Sequence, residues 1–156
     1  MTTTTRSDPV VVGIDGSDNS TQALQWAAEY ARRYELPLVA IAAWGLPTAG
    51  GYSPYYSSQD DHSDELQTDA QTMLERTIRE AGMDEAQVQT RVIRGHPAKV
   101  LLAAAEAAQL LVVGSRGHGG FVGMLLGSVS HQCTQHAPCP VVVVPAEQVT
   151  QPASSS

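Results

Sequence analysis

Lysine is almost missing from this 156-residue chain: Lys99 stands alone, and Lys and Arg together number 9 against 16 Asp and Glu, a formal net charge of −7. Phosphate backbones are held by clustered cations, so this balance excludes a general DNA- or RNA-binding surface. An anionic ligand would need backbone N–H groups or a helix end instead. Long apolar runs are missing too. None approaches the roughly 20 residues of a membrane helix, and the start, Met1 to Asp8, lacks the apolar stretch of a secretory signal. The expectation is a cytoplasmic protein with no membrane partner. Cysteine is scarce as well. Cys133 and Cys139 make no disulfide framework, and with His131 and His136 they match no metal-ligand spacing such as C-x-x-C. Packing is expected of these two thiols.

What is present is an alternation of short β-rich runs with helical stretches. Residues 1–8 and 146–156 have no apolar periodicity and read as tails around one domain, 9–145. Val10 to Asp15 is almost wholly apolar, as a strand buried on both faces of a parallel sheet would be. A helix follows to about Tyr34, with Ala23, Ala27, Tyr30, Ala31 and Tyr34 on one face. Leu38 to Ala43 is a second strand, and Gly45 to Ser63 the longest irregular stretch, either a lid or a surface connection. A helix from about Asp64 to Ala81 carries the stripe Leu66, Ala70, Met73, Leu74, Thr77 and Ile78 and stops at Gly82. Then come a strand from Val88 to Ile93, a helix opened by Pro97, a strand from Leu110 to Val113, a helix from about Ser128 and a fifth strand from Val141 to Val144. Strands and helices alternating through short links imply an α/β fold with helices on both faces of a parallel sheet.

In such a sheet ligands bind beyond the carboxyl ends of the strands, where the strand order reverses. Two strands end unusually. The first leads into Gly13-Ile14-Asp15-Gly16-Ser17. The fourth leads into a loop with six glycines from Gly114 to Gly127, followed by a helix start at Ser128. Glycine permits positive φ and close approach of a ligand to the backbone, so successive N–H groups form an anion-binding concavity. The helix start adds further free N–H groups. A Walker A loop is excluded, because Gly120-Phe121 stands where lysine and a hydroxyl are required. A dinucleotide fingerprint is excluded because Gly13-Ile14-Asp15 breaks it.

The spacing Gly114, Gly117, Gly127, Ser128 resembles the G-x2-G-x9-G-[ST] signature of ATP-binding universal stress proteins. The resemblance spans Val11 to Ser17, Ala43-Trp44, Gly95-His96-Pro97 and His136 to Val144. It implies a three-layer doubly wound sandwich of the adenine nucleotide alpha-hydrolase-like (Rossmann-like) kind, with five parallel strands in the order 3-2-1-4-5. It also implies ATP, or AMP or ADP, as ligand together with Mg²⁺. In that reading Gly114, Ser115, Arg116, Gly117, His118, Gly119 and Gly120 wrap the ribose and phosphates, while Gly127, Ser128 and Val129 hold the terminal phosphates. Asp15, beside Gly13, meets the ribose or a phosphate-bound Mg²⁺, and the backbone of Ala43 reads the adenine edge. Local readings stand beside these: Asp15 or Ser128 as a helix cap, and Arg116 and His118 as solvated side chains.

The implied role is regulatory, in stress response, with slow or no hydrolysis, since no catalytic lysine or arginine finger is evident. A nucleotide-cleaving hydrolase would have only Asp15, His118 and Ser115 as acid, base or nucleophile. A dimeric interaction module without nucleotide is the third reading. The implied strand order puts the fifth strand at a sheet edge. Its four valines carry no charge to deter pairing, so a homodimer through that strand is expected.

Overall fold

The computed structural model describes residues 7–48, 51–53, 63–117 and 126–146. Its strands are β1 (Val10–Gly13), β2 (Leu38–Trp44), β3 (Leu46–Thr48), β4 (Gly51–Ser53), β5 (Gln89–Arg94), β6 (Leu110–Gly114) and β7 (Val141–Val144). The helices are α1 (Asp18–Arg33), α2 (Ser63–Glu80), α3 (Pro97–Ala105) and α4 (Ser128–His136). The main sheet is parallel, in the order β5-β2-β1-β6-β7. Counting main-sheet strands only, that is 3-2-1-4-5, the order expected.

Valine-rich β1 lies at the centre, where both faces are covered; Val10, Val11 and Val12 are at most 2% exposed. Alternate side chains divide between two cores, as the two-residue period of a strand requires. Val10, Val12, Ala40, Ala42 and Val112 meet α1 and α2 on one face. Val11, Ile41, Leu111 and Val113 meet α3 and α4 on the other.

Several local readings shift. The stretch from Gly45 to Ser63 contains an antiparallel pair, β3 with β4, rather than being irregular in all its described part. A 3₁₀ turn at Glu85–Gln87, with a capping box on Asp84, delays the third main-sheet strand to Gln89. Tyr34, expected on the buried face of the first helix, is 58% exposed. Tyr34 is the C-cap residue that follows Arg33, and its ring lies along Tyr30 at 4.6 Å, outside the core, before the chain reverses through Glu35 at φ 54°.

Both long helices stop by the same device. At the end of α2 the Met83 N–H donates to Ile78 O and the Gly82 N–H to Arg79 O, with Gly82 at φ 77°. This is a Schellman closure, and Met83 and Ile78 supply its apolar contact within one core. At the end of α1, Leu36 donates to Ala31 O and Glu35 takes the left-handed position. An added Cβ at Gly82 would meet nothing within 4 Å, so only backbone strain opposes a side chain there. Gly82→Ala should therefore lower stability by about 1–2 kcal/mol, read as a lower urea midpoint at unchanged slope.

Candidate functional site

The carboxyl end of the sheet is stepped. β1 makes its last pairing at Gly13 opposite Ile41, and the Ile14 N–H closes onto Ile41 O. β2 continues for three more residues beside β5, to the pair Trp44–Arg94. There the Arg94 guanidinium lies 5.5 Å from the Trp44 ring centre. Along a parallel strand successive residues turn their backbone groups alternately to the two neighbours. Trp44 O accepts from Gly95 on the β5 side, and Ile41 O accepts from Ile14 on the β1 side. The N–H and C=O of Ala43 therefore face the β1 side, beyond the last β1–β2 pairing. This is the free edge that an adenine would need.

Below that step the two unusual loops meet. Asp15 is exposed; its Oδ1 accepts from the Ser17 N–H at 2.9 Å and the Ser17 hydroxyl at 2.5 Å. Ser17, not Asp15, is the N-cap of α1, accepting from the Ser20 N–H. Asp15 thus anchors the cap residue and turns Oδ2 toward the fourth-strand loop. A Cβ built on Gly117 would stand 2.7 Å from that Oδ2.

The neck of the glycine loop is closed by its own backbone: the Gly127 N–H donates to Ser115 O at 2.6 Å. The Ser130 hydroxyl, 2% exposed, adds bonds to Ser115 O at 3.1 Å and Gly127 O at 3.0 Å. Gly127 caps α4 without a side chain, and the first ladder bond runs from His131 to Gly127 O. The N–H groups of Ser128, Val129 and Ser130 consequently have no partner within the helix. Their partial positive charge suits an anion.

The positive-φ reason for these glycines is corrected by the backbone. Positive φ is found at Gly16, Gly82 and Gly95, and not at Gly114, Gly117 or Gly127. What Gly114 and Gly117 supply is room, whereas a Cβ at Gly127 would make only ordinary contacts at 3.5 Å. Gly117 leaves space beside Asp15, and a Cβ at Gly114 would come within 2.6 Å of the Asn19 Oδ1. His118, Gly119 and Gly120 lie outside the described residues.

Asn19 escaped the sequence reading. It is 6% exposed and uses its whole amide. Oδ1 accepts from the Arg116 N–H at 2.9 Å and the Ser115 hydroxyl at 3.5 Å; Nδ2 donates to Val144 O at 3.1 Å and Gln22 Oε1 at 3.3 Å. The available signal was its place on the stripe Asn19, Ala23, Ala27, Ala31, where a polar side chain must find partners. His96, by contrast, has a structural role: its Nδ1 accepts from the Ala98 N–H at the start of α3.

Among the described residues no three His, Cys, Asp or Glu side chains are grouped to hold a metal. Burial pushes the Cys133 thiol up to about 11, so it stays protonated at neutral pH and is a poor ligand or nucleophile. No helix among the described residues is long and apolar enough to cross a membrane. A cavity of about 430 Å³ lies at the opposite end of the sheet, lined by Gln25, Ala28, Leu36, Leu38 and Met83. Its charged rim, Glu29 with Arg32, is already paired at 2.7 Å.

The universal stress protein family matches residues 7–145. The chain is 42% identical over 144 residues to a universal stress protein of Mycolicibacterium smegmatis, covering 87% of this chain and 45% of that protein. It is 32% identical over 143 residues to the universal stress protein YxiE of Bacillus subtilis, covering 86% of this chain and 97% of that one. The chain thus spans about half the length of the mycobacterial relatives it matches and nearly all of the Bacillus protein. A solved universal stress protein in complex with cAMP superposes at a TM-score of 0.56 with 27% identity, covering 88% of this chain and 95% of that one.

Removing the Asn19 amide leaves the Arg116 N–H and Val144 O with one partner fewer in a part-buried place. Asn19→Ala should lose about 1–3 kcal/mol of stability. Exchange at the Arg116 amide should quicken about tenfold beyond the global change, as measured by NMR. Unchanged protection at Arg116 would show that the neck holds without Asn19.

Proposed function

The chain belongs to the universal stress protein family, and from that premise we propose that it is a cytoplasmic, regulatory adenine-nucleotide-binding protein with ATP as ligand. The observation that carries the proposal is the convergence of Asp15 and Gly117, from loops on adjacent central strands, in front of the free N–H groups of α4. The place is the one where an open parallel sheet takes its ligands. The cAMP complex of a relative supports adenine nucleotide as the ligand class.

In this reading the adenine lies against the Ala43 backbone and the ribose beside Gly13 and Asp15. The segment from Gly114 to Gly120 wraps the ribose and phosphates, with Ser115, Arg116, His118 and Gly119 in it. The N–H groups of Gly127, Ser128 and Val129, with the Ser128 hydroxyl, receive the terminal phosphates. With nine Lys and Arg in the whole chain, backbone and helix end do the work that cations do elsewhere. Asp15, whose Oδ2 faces Gly117, would be the residue to hold an Mg²⁺ bound with the nucleotide, and the ion would offset the phosphate charge.

A regulatory role with slow or no hydrolysis is favoured over the hydrolase by the state of Ser115. It is 7% exposed, and its hydroxyl is engaged between Asn19 Oδ1 and the Ala146 N–H. A nucleophile needs a base beside a free hydroxyl. We further propose that the protein is a homodimer joined through β7 and acts on neither nucleic acid nor membrane. Of the two edge strands, β5 exposes Arg91 and Arg94, whereas β7 is four valines. Charges guard an edge and valines invite pairing.

Two variants test the site. Gly117→Val should abolish ATP binding in calorimetry with circular dichroism unchanged, because a Cβ drives into Asp15 at 2.7 Å and fills the cradle. Undiminished affinity would remove the loop from the site. Asp15→Ala should weaken Mg-ATP about tenfold more than metal-free ATP. Equal losses with and without Mg²⁺ would make the carboxylate a ribose contact or merely the anchor of Ser17.

A further inference from the structure

We infer that the aromatic row on α1, formed by Trp26, Tyr30 and Tyr34, is a docking ridge whose occupant is the same ridge of a second copy of this chain. The inference rests on the β7 dimer proposed above and assigns it a second contact surface. Residues four apart share one line of a helix. The Trp26 and Tyr30 rings stack at 5.4 Å with 16° between planes, and Tyr30 and Tyr34 follow at 4.6 Å. Among the described residues, Trp26 and Tyr34 are the large hydrophobics left exposed, at 38% and 58%.

The side of α1 on which the row lies is set by its hydrogen bonds. Gln25 Nε2 donates to Ala81 O, so the flank with Gln25, Ala28 and Arg32 faces the end of α2. Asn19 donates to Val144 O, so its flank faces β7. Trp26 and Tyr30 follow Asn19 by seven and eleven residues, close to whole numbers of turns, and share its flank. α1 returns from the carboxyl end of β1 to the start of β2, so it runs down the sheet from Val144. Trp26 lies about 10 Å below Asn19 at ~1.5 Å per residue, which is the level of Val141 and Val142 on a strand rising ~3.3 Å per residue. Tyr30 packs in the same apolar cluster as Val142 and Val144.

Strand pairing alone would leave a trench there. α1 lies over β1 and β6, so its axis stands about 7 Å inside β7 when strands are ~4.8 Å apart. A two-fold axis half a strand spacing beyond β7 puts the two α1 axes about 19 Å apart. Helices in direct contact pack at about 8–10 Å. The remaining gap of about 10 Å over the valines is filled only by large side chains from both sides. Trp26 and Tyr30 are large, apolar and in that place. On the other face α4 packs directly against β7 and exposes Ser128, His131, Thr134 and Gln135, so no such gap opens. Two copies at −7 each repel, and the row with β7 is an uncharged strip through which they can meet.

The chain has two tryptophans, so Trp44→Phe makes Trp26 the sole reporter. As sedimentation shows that protein passing from monomer to dimer, Trp26 emission should shift to the blue and acrylamide quenching should fall. In Val142→Lys added to the same background, Trp26 should stay exposed at every concentration. Trp26→Ser in the otherwise native chain should weaken the dimer about tenfold, the size of loss typical of an aromatic anchor, with circular dichroism unchanged. A dimer that forms with Trp26 emission and quenching unaltered, and as tightly in Trp26→Ser, overturns the ridge and leaves the strand pairing standing. A native chain that remains monomeric at hundreds of micromolar overturns both.

Discussion

The carboxyl end of the sheet is held by one buried amide. Asn19 has two donors and one acceptor oxygen, and all are used inside the protein: on the backbone of Arg116, on Val144 O, and on the side chains of Ser115 and Gln22. A side chain this buried must satisfy its polar groups internally. Satisfying them fixes three elements at once: the first turn of α1, the loop leaving β6 and the end of β7. Gly114 has to be glycine for the same reason, because a Cβ would overlap the Asn19 carboxamide. Ser115 completes the clasp, donating its N–H to Val144 O and accepting from the Ala146 N–H. The start of the loop after β6 and the outer strand are therefore parts of one hydrogen-bonded unit. A ligand that tightens the loop and a partner that pairs with β7 would act on the same bonds.

In a chain so poor in lysine, the anion binding proposed above would rest on geometry rather than net charge. Long-range attraction works against a phosphate here, so the favourable field must be local. The three N–H groups at the start of α4 would supply such a field at short range. Asp15 introduces a negative charge into the same space, which is unfavourable for a bare phosphate and favourable for one that carries a divalent cation.

The two sheet edges differ as their surroundings require. β5 exposes Gln89, Arg91 and Arg94 among half-buried residues, whereas β7 is half-buried at all four positions. An edge lined with valine loses little water-exposed charge when another strand covers it, and an edge lined with arginine would have to desolvate cations.

Periodicity and glycine placement in the sequence determined most of this architecture. The runs of valine, the helical stripes such as Ala70, Leu74, Thr77 and Ile78, and Gly82 as a helix stop are local signals, and local backbone sterics obey them. Alternation of those elements implied the parallel sheet, and the spacing from Gly114 to Ser128 implied the family. Tertiary structure decided the remainder. Nothing near Asn19 in sequence shows that its partners are Arg116 and Val144, about a hundred residues away, because a hydrogen bond between distant segments leaves no periodic trace. The roles of Gly114 and Gly117 were likewise not local. Their φ values are ordinary, and their lack of a side chain matters only because Asn19 and Asp15 are brought against them by the pairing of β1 with β6. Sequence patterns report what a residue does to its own backbone and face, and only the folded sheet determines which distant group it must leave room for.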